Sequence, residues 1–326
     1  MTAIRAFMEE HFKHFNARET LDAAKGWCDL LDGGGQMFLA MAGAMSTAEI
    51  GISLARMIRQ GKVHAISCTA ANLEEDIFNL FAGNEYKILP EYRDLTPQDE
   101  VALRDSGLNR VTDTCIPETV MKEIEDHIVQ MWTEAASRGE AKFPHQFLND
   151  VLDIPGIEDR FQLPRERSWV LAAKEMSIPI YTPGWEDSTL GNIYTAEVML
   201  GNIPNHNGVK RGTQQLEHLA GWYKKRADAE IPVGFFQIGG GISGDFSICV
   251  VPMLIQDCYL EDTPYWAYFA QIGDSTTSYG SYSGAPPNEK ITWHKLAPDT
   301  PRFMINSDAS IVAPLIFTYV LEDSSS

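Results

Sequence analysis

Continuous apolar runs of strand length alternate with stretches of helical period along most of the chain. "GQMFLAMAG" (35–43) reads as a buried strand. "STAEIGISLARMIRQG" (46–61) then places Ile50, Leu54, Met57 and Ile58 on one helical stripe, with Ser46 and Glu49 in capping-box spacing and Gly61 as a stop. "VHAISCTA" (63–70) predicts the next strand. "NLEEDIFNLF" (72–81) predicts a helix with Asn72 as cap and Glu75 at its third position. Further on, 168–176 and 213–225 read as helices, and 178–184, 231–241 and 265–274 as strands. Residues 302–322 read as a short strand and a final helix.

Strands that are apolar throughout and separated by helices predict a parallel sheet covered on both faces, an α/β fold. Residues 1–34 read as an N-terminal helical extension. Residues 84–165, polar and rich in acids and prolines, read as an insertion of helices and loops within one domain spanning 1–326. In such a sheet, ligands bind beyond the carboxyl ends of the strands. Those ends carry small, polar or acidic segments: "AGAMST", "CTAANLEED", "PGWEDSTLGN", "GGGISGD", "GDSTTSYGSYSG" and "NSDAS". Their convergence predicts one composite site.

The chain has 326 residues, 44% of them hydrophobic, enough for a sizeable core. Against 26 Lys and Arg stand 45 Asp and Glu, a formal charge of −19. That balance argues against a nucleic-acid footprint and favours solubility and the attraction of cations, polyamines among them. Cys28, Cys68, Cys115, Cys249 and Cys258 are odd in number and scattered, without C-x-x-C spacing; this predicts reduced thiols and no zinc site. The N-terminus has no signal-peptide core, and no apolar run reaches the roughly 18–20 residues that span a bilayer. The expectation is a soluble cytoplasmic protein with no membrane or metal partner.

Three features in the loops bear on chemistry. Gly239, Gly240 and Gly241 follow a strand directly, where they serve either a tight turn or the close approach of a ligand. Glu75, Asp187 and Asp308 lie near strand ends, where a carboxylate holds a ribose diol; a capping box accounts equally for Glu75 and a helix cap for Asp308. Lys295 in "PPNEKITWHKLAP" (286–298) follows Trp293 and stands six residues after Glu289. It is either a surface lysine or a nucleophile. A nucleophilic amine must lose its proton, which apolar walls such as an indole promote.

The segments "TAANLEED", "SGLNRV", "YTPGWEDSTLGN", "IGGGI", "GSYSGAPPNEKITWHK" and "INSDASIVAPL" together resemble the deoxyhypusine synthase family, which includes homospermidine synthases. The resemblance covers residues 35 to 322. It implies a Rossmann-like sheet, a homotetramer and NAD sites at subunit interfaces. It also implies oxidation of a polyamine by NAD, passage of an aminobutyl group to an enzyme lysine as a Schiff base, and reduction of the new imine on an acceptor amine. By position, Lys295 is that lysine, Trp293 the tryptophan of the donor pocket and Glu289 an acid contacting a donor amine. Thr69, Ala70, Glu75, Asp187, Gly240, Asp308, Ala309 and Ser310 match NAD-binding positions.

The departures from the family pattern concern the amine. Where the family carries two histidines and an asparagine after its glycines, this chain has Asp245 and Cys249. Asn192 and Tyr282 replace two family acids, and "AGA" replaces "TSN". The expectation is NAD-dependent aminoalkyl transfer on a free di- or polyamine. Behind it stand modification of a protein lysine, plain amine oxidation, and an NAD-binding homologue without catalysis.

Overall fold

The computed structural model describes residues 3–277 and 280–322. Ser278 and Tyr279 of the expected 273–284 loop, and the terminal "SSS", lie outside the described residues.

Helices α1 (Ala3–His11) and α2 (Phe15–Asp32) lead into strand β1 (Gln36–Met41). Then come α3 (Gly51–Arg59), β2 (Ala65–Cys68) and α4 (Ala70–Ala82). The 84–165 segment holds β3 (Lys87–Ile88), α5 (Pro97–Asp105), β4 (Leu108–Val111), β5 (Thr114–Pro117), α6 (Lys122–Arg138) and α7 (Pro144–Leu152). Next are α8 (Trp169–Glu175), β6 (Ile180–Tyr181), α9 (Thr189–Leu200), α10 (Gly212–Asp228), β7 (Val233–Ile238) and α11 (Gly241–Ile248). A single turn α12 (Val250–Pro252), β8 (Tyr268–Gly273), a short α13 (Glu289–Thr292), β9 (Arg302–Asn306) and α14 (Ala309–Leu321) complete the chain.

Six strands form one parallel sheet in the order β6-β2-β1-β7-β8-β9. Counted within the sheet this is 3-2-1-4-5-6, the doubly wound order, with its switch point between β1 and β7. Alternate strand residues enter two separate cores. Phe38, Ala40, Phe235 and Phe269 pack with Leu219 of α10 and Ile248 of α11. Met37, Leu39, Phe236 and Ile272 pack with Trp27 of α2, Leu54 of α3 and Phe317 of α14. The continuous apolar runs arise because both faces are covered. Helix α2, expected as part of an extension, thus covers the sheet itself.

Several local expectations are corrected by tertiary contacts. Ser46 and Glu49 form no capping box; the helix starts at Gly51, and Glu49 takes a left-handed φ of 51°. Ser46 serves the core instead. Its N–H donates to Asn72 Oδ1 at 2.9 Å, its hydroxyl donates to Asn72 O at 2.6 Å, and it accepts from Trp169 Nε1 at 3.0 Å. Asn72 is therefore no cap. Thr69 caps α4, accepting from the Asn72 N–H at 3.3 Å. The 84–165 segment is not only helices and loops: β3, β5 and β4 form a small antiparallel sheet. Its strands are two to four residues long, too short for a clear period-two signal. Among the described residues, no helix is long and apolar enough to cross a membrane.

Candidate active site: a buried lysine pair

Lys295 is placed by the turn that ends α13. His294 adopts a left-handed φ of 55°, and the Lys295 N–H returns to Lys290 O at 3.0 Å. Its carbonyl accepts from the Trp266 N–H at 3.2 Å, which ties the turn to the segment entering β8. The side chain is only 6% exposed. Its Nζ donates to Asp245 Oδ1 at 2.9 Å, within a cavity of about 440 Å³.

Asp245 stands on the second turn of α11. Cys249, one turn on, donates its thiol to the same Oδ1 at 3.4 Å. Burial pushes the Cys249 thiol's pKa up, so it stays a donor near neutral pH. Tyr282 closes one wall, with its hydroxyl donating to Gln237 Oε1 at 2.8 Å and its ring 5.3 Å from Lys295 Nζ. Trp293, 66% exposed at the rim, has its ring 5.9 Å from the same atom. Glu289 also lines the cavity, on its exposed side. The fold thus gathers Lys295, Asp245, Tyr282, Trp293 and Glu289 into one space. Asn192 lies apart, exposed in the first turns of α9.

A second lysine, passed over in the sequence, completes this site. Lys290 is 2% exposed, and its Nζ makes no hydrogen bond among the described residues. It lies between aromatic rings, 4.7 Å from the centre of Phe269 and 4.9 Å from that of Tyr282. Burial, with Lys295 nearby, takes its pKa down to about 8. The Tyr282 ring therefore faces two ammonium groups, an arrangement favourable to cations on both. The available signal was its position directly after Glu289 on a one-turn helix, too short to show a buried face.

None of the expected dinucleotide residues lines this cavity. They are spread along the carboxyl ends of the strands, from beyond edge strand β6 to beyond the opposite edge strand β9. Thr69 caps α4 and donates to Gly43 O at 3.0 Å, and Ala70 begins that helix. Glu75 is buried and accepts from the Thr47 hydroxyl; burial raises its pKa. Asp187 is exposed in the loop after β6. Asp308 caps α14, accepting from the Ser310 N–H at 2.8 Å and the Ser310 hydroxyl at 2.7 Å, with Ala309 between them. Gly240 precedes α11, and a Cβ there would stand 2.0 Å from Ser283 Oγ. The close approach that this glycine permits is used by the chain's own 280–284 loop.

Two observations leave room for a dinucleotide over the carboxyl ends of the strands, where the switch-point crevice of this fold lies. Gly43 and Gly241, with φ of 67° and 65°, have open space where a side chain would stand. Asp187 makes no ion pair among the described residues, which leaves a carboxylate at a strand end for a diol. Among the described residues, no group of His, Cys, Asp and Glu is arranged to hold a metal.

A parallel sheet of doubly wound order with helices on both faces defines a Rossmann-like α/β protein. The family model "Deoxyhypusine synthase" matches residues 7–320, and the chain belongs to that family. A "Deoxyhypusine synthase-like protein" of Nostoc punctiforme is 30% identical, over 90% of this chain and 73% of its own. "Probable deoxyhypusine synthase 1" of Archaeoglobus fulgidus is 24% identical, over 94% of this chain and 90% of its own. The crystal structure of a "putative deoxyhypusine synthase" from Entamoeba histolytica superposes with a TM-score of 0.60 at 12% identity. It covers 99% of this chain and 94% of that one, and so bears on the fold.

Proposed function

We propose that this chain is an NAD-dependent aminoalkyl transferase, moving an aminobutyl-type group from a di- or polyamine through an imine on Lys295. One observation carries the reading: the family's lysine position is occupied by a lysine buried in a 440 Å³ cavity and held on a carboxylate. Family membership supports NAD as cofactor, and Thr69, Ala70 and Asp187, which match NAD-binding positions of the family, would hold it. When bound, it accepts and returns the hydride.

The chain's own residues do the rest. Asp245 Oδ1, 2.9 Å from Lys295 Nζ, is the proton acceptor that frees the lysine lone pair. The lysine nitrogen then adds to the imine carbon of the oxidised donor. The bond from that carbon to the departing amine breaks, and the amine leaves with a proton. The acceptor amine displaces Lys295 by the same exchange in reverse. Tyr282 and Trp293 offer π faces to an ammonium, and Glu289 offers a carboxylate at the rim.

A donor, an acceptor or both different from the family's are favoured because the residues matching two of its donor-binding acids, Asn192 and Tyr282, are neutral while the lysine is retained, and the chain's acidic balance favours a free amine. The proposal includes a homotetramer in which one subunit's lysine cavity meets another's dinucleotide crevice. The dinucleotide residues lie outside the cavity in a single chain, which supports this.

Borohydride trapping tests the chemistry. With NAD and a panel of di- and polyamines, a stable adduct is expected on the peptide carrying Lys295 and absent in Lys295→Arg. No adduct with any amine would overturn the mechanism. Transfer only to a lysine of an added protein acceptor would replace the free-amine reading. Steady NADH accumulation without transfer would make the chain an NAD-dependent amine oxidoreductase.

A further inference from the structure

A second cavity, larger than that of Lys295, lies away from it. It encloses about 710 Å³ between α7, α8, α10 and the segment entering β6. His64, just before β2, and Pro179, just before β6, line it, so it opens at the amino ends of these strands. The lysine cavity is a separate space, lined by α11, α13 and the 280–285 loop.

Its chemistry runs against that of the whole molecule. In a chain of charge −19, no Asp or Glu lines this cavity, whereas Lys174, Lys225 and Arg226 do. Three of the chain's eight histidines, His64, His145 and His218, line it as well. Lys174 is already paired with Asp153, and Arg226 bonds Gln36 at 3.0 Å while stacking 4.0 Å over Trp222. Lys225 makes no ion pair among the described residues. Lys210 adds a further cation, 4.2 Å from the ring of Phe143 in the wall.

The hydrogen-bond inventory points the same way. Trp222 Nε1, a donor only, is buried with no acceptor among the described residues. His145 Nδ1 is likewise buried without a partner, on a side chain 9% exposed. His64 Nδ1 accepts from the Met37 N–H at 3.1 Å, which leaves its Nε2 to carry the proton. His218 Nδ1 is engaged by the Tyr181 hydroxyl at 2.9 Å. Burial and cationic neighbours hold His64 at a pKa of about 4 and His145 at about 3. The charges acting on these rings are Arg226, Lys210 and Lys225. The unpartnered Trp222 donor, a basic rim and a lining without carboxylates are features of an anion receptor, and the volume falls in the range of small-molecule sites. Phe143, Tyr181 and Trp222 also line it, with Lys210 over the Phe143 ring and Arg226 over that of Trp222.

We propose that this cavity is a second ligand site, which binds a small phosphate ester of nucleotide size. Its phosphate is held by Lys225, Arg226 and the imidazoles, and the rest of the ligand fills the cavity beside them.

Calorimetry on the full chain, with NAD at saturation to occupy the switch-point crevice, tests this with adenosine monophosphate, adenosine and inorganic phosphate as probes. Saturable binding of the monophosphate is expected, at least 10-fold tighter than that of adenosine or phosphate alone. Lys225→Glu, on the exposed face of α10, is expected to weaken it at least 10-fold with unchanged thermal stability and unchanged NAD binding. His145→Gln gives a second, internal variant, with the same loss expected. Absence of monophosphate binding overturns the proposal. Equal affinity in wild type and Lys225→Glu also overturns it, because the ligand is then held elsewhere. These readouts are independent of amine transfer, so they separate this site from the proposed reaction.

Discussion

Burial takes the Lys290 ammonium's pKa from 10.5 to about 8, and the sign of the resulting stability effect follows directly. Below pH 8 both folded and unfolded chains hold the proton, and the folded state carries the whole desolvation cost. Between pH 8 and 10.5 the unfolded chain binds more protons, so stability rises with pH, by about 3 kcal/mol in all. Lys290→Met keeps the apolar stem between Phe269 and Tyr282 without the charge. It is expected to unfold a few degrees higher at pH 7 and to lose the rise between pH 8 and 10.5; thermal unfolding across that range checks both. A difference in stability between wild type and Lys290→Met that stays constant over the same window would show that the ammonium is not buried. Asp245 acts on the neighbouring lysine in another way. Asp245→Asn keeps the shape but removes the proton acceptor, and is expected to lower kcat by about 10²–10⁴ with NAD binding unchanged. Single-turnover adduct formation on Lys295 measures it.

At the scale of elements, three consecutive acids of α4 show how helices are anchored. Glu74 accepts from the Thr189 and Leu190 N–H groups at 3.0 and 2.9 Å, at the amino end of α9. Asp76 accepts from the Trp169 and Val170 N–H groups at 3.3 and 3.1 Å, at the amino end of α8. Only Glu75 between them turns toward Thr47 and the loop after β1. Burial raises Glu74 to a pKa of about 7 and Asp76 to about 6, yet the facing helix ends supply donors to both. Glu74→Ala leaves two N–H groups without their acceptor, and is expected to cost about 1–3 kcal/mol in denaturant unfolding. Gly51, at the start of α3, is a tighter constraint: a Cβ there would stand 2.1 Å from Arg167 O, a backbone atom. Gly51→Ala is expected to destabilise by about 1–3 kcal/mol or more, because α3 and the segment before α8 cannot then meet at this distance. Such helix-to-helix caps have no local spacing, which is why Ser46 and Asn72 read as caps of their own helices and proved to be core partners of each other.

Over the whole molecule, a charge of −19 surrounds a cavity proposed to receive cationic amines. The encounter is expected to weaken as salt rises, so kcat/KM for a polyamine should fall between 0.05 and 0.5 M salt more than kcat does. Steady-state kinetics at several ionic strengths measures this; a flat kcat/KM would remove steering from the account. If the lysine cavity and the dinucleotide crevice meet across subunits, inactive Lys295→Ala and Asp187→Ala chains should regain part of the activity when refolded together, with no regain if each chain completes its own site. The chain's apolar runs determined the parallel sheet by themselves, since each strand is buried on both faces and hydrophobicity is a local property of the residues. The motif around Lys295 determined the family, because the order and spacing of a tryptophan, a lysine and a later Asp-Ala-Ser survive translation into any fold. Only the tertiary structure brought Asp245, fifty residues upstream, to the lysine, buried Lys290 beside it, and set three histidines and unshielded cations at the far end of the sheet. Those decisions rest on distances between residues far apart in sequence, and such distances are set by how helices pack on the sheet.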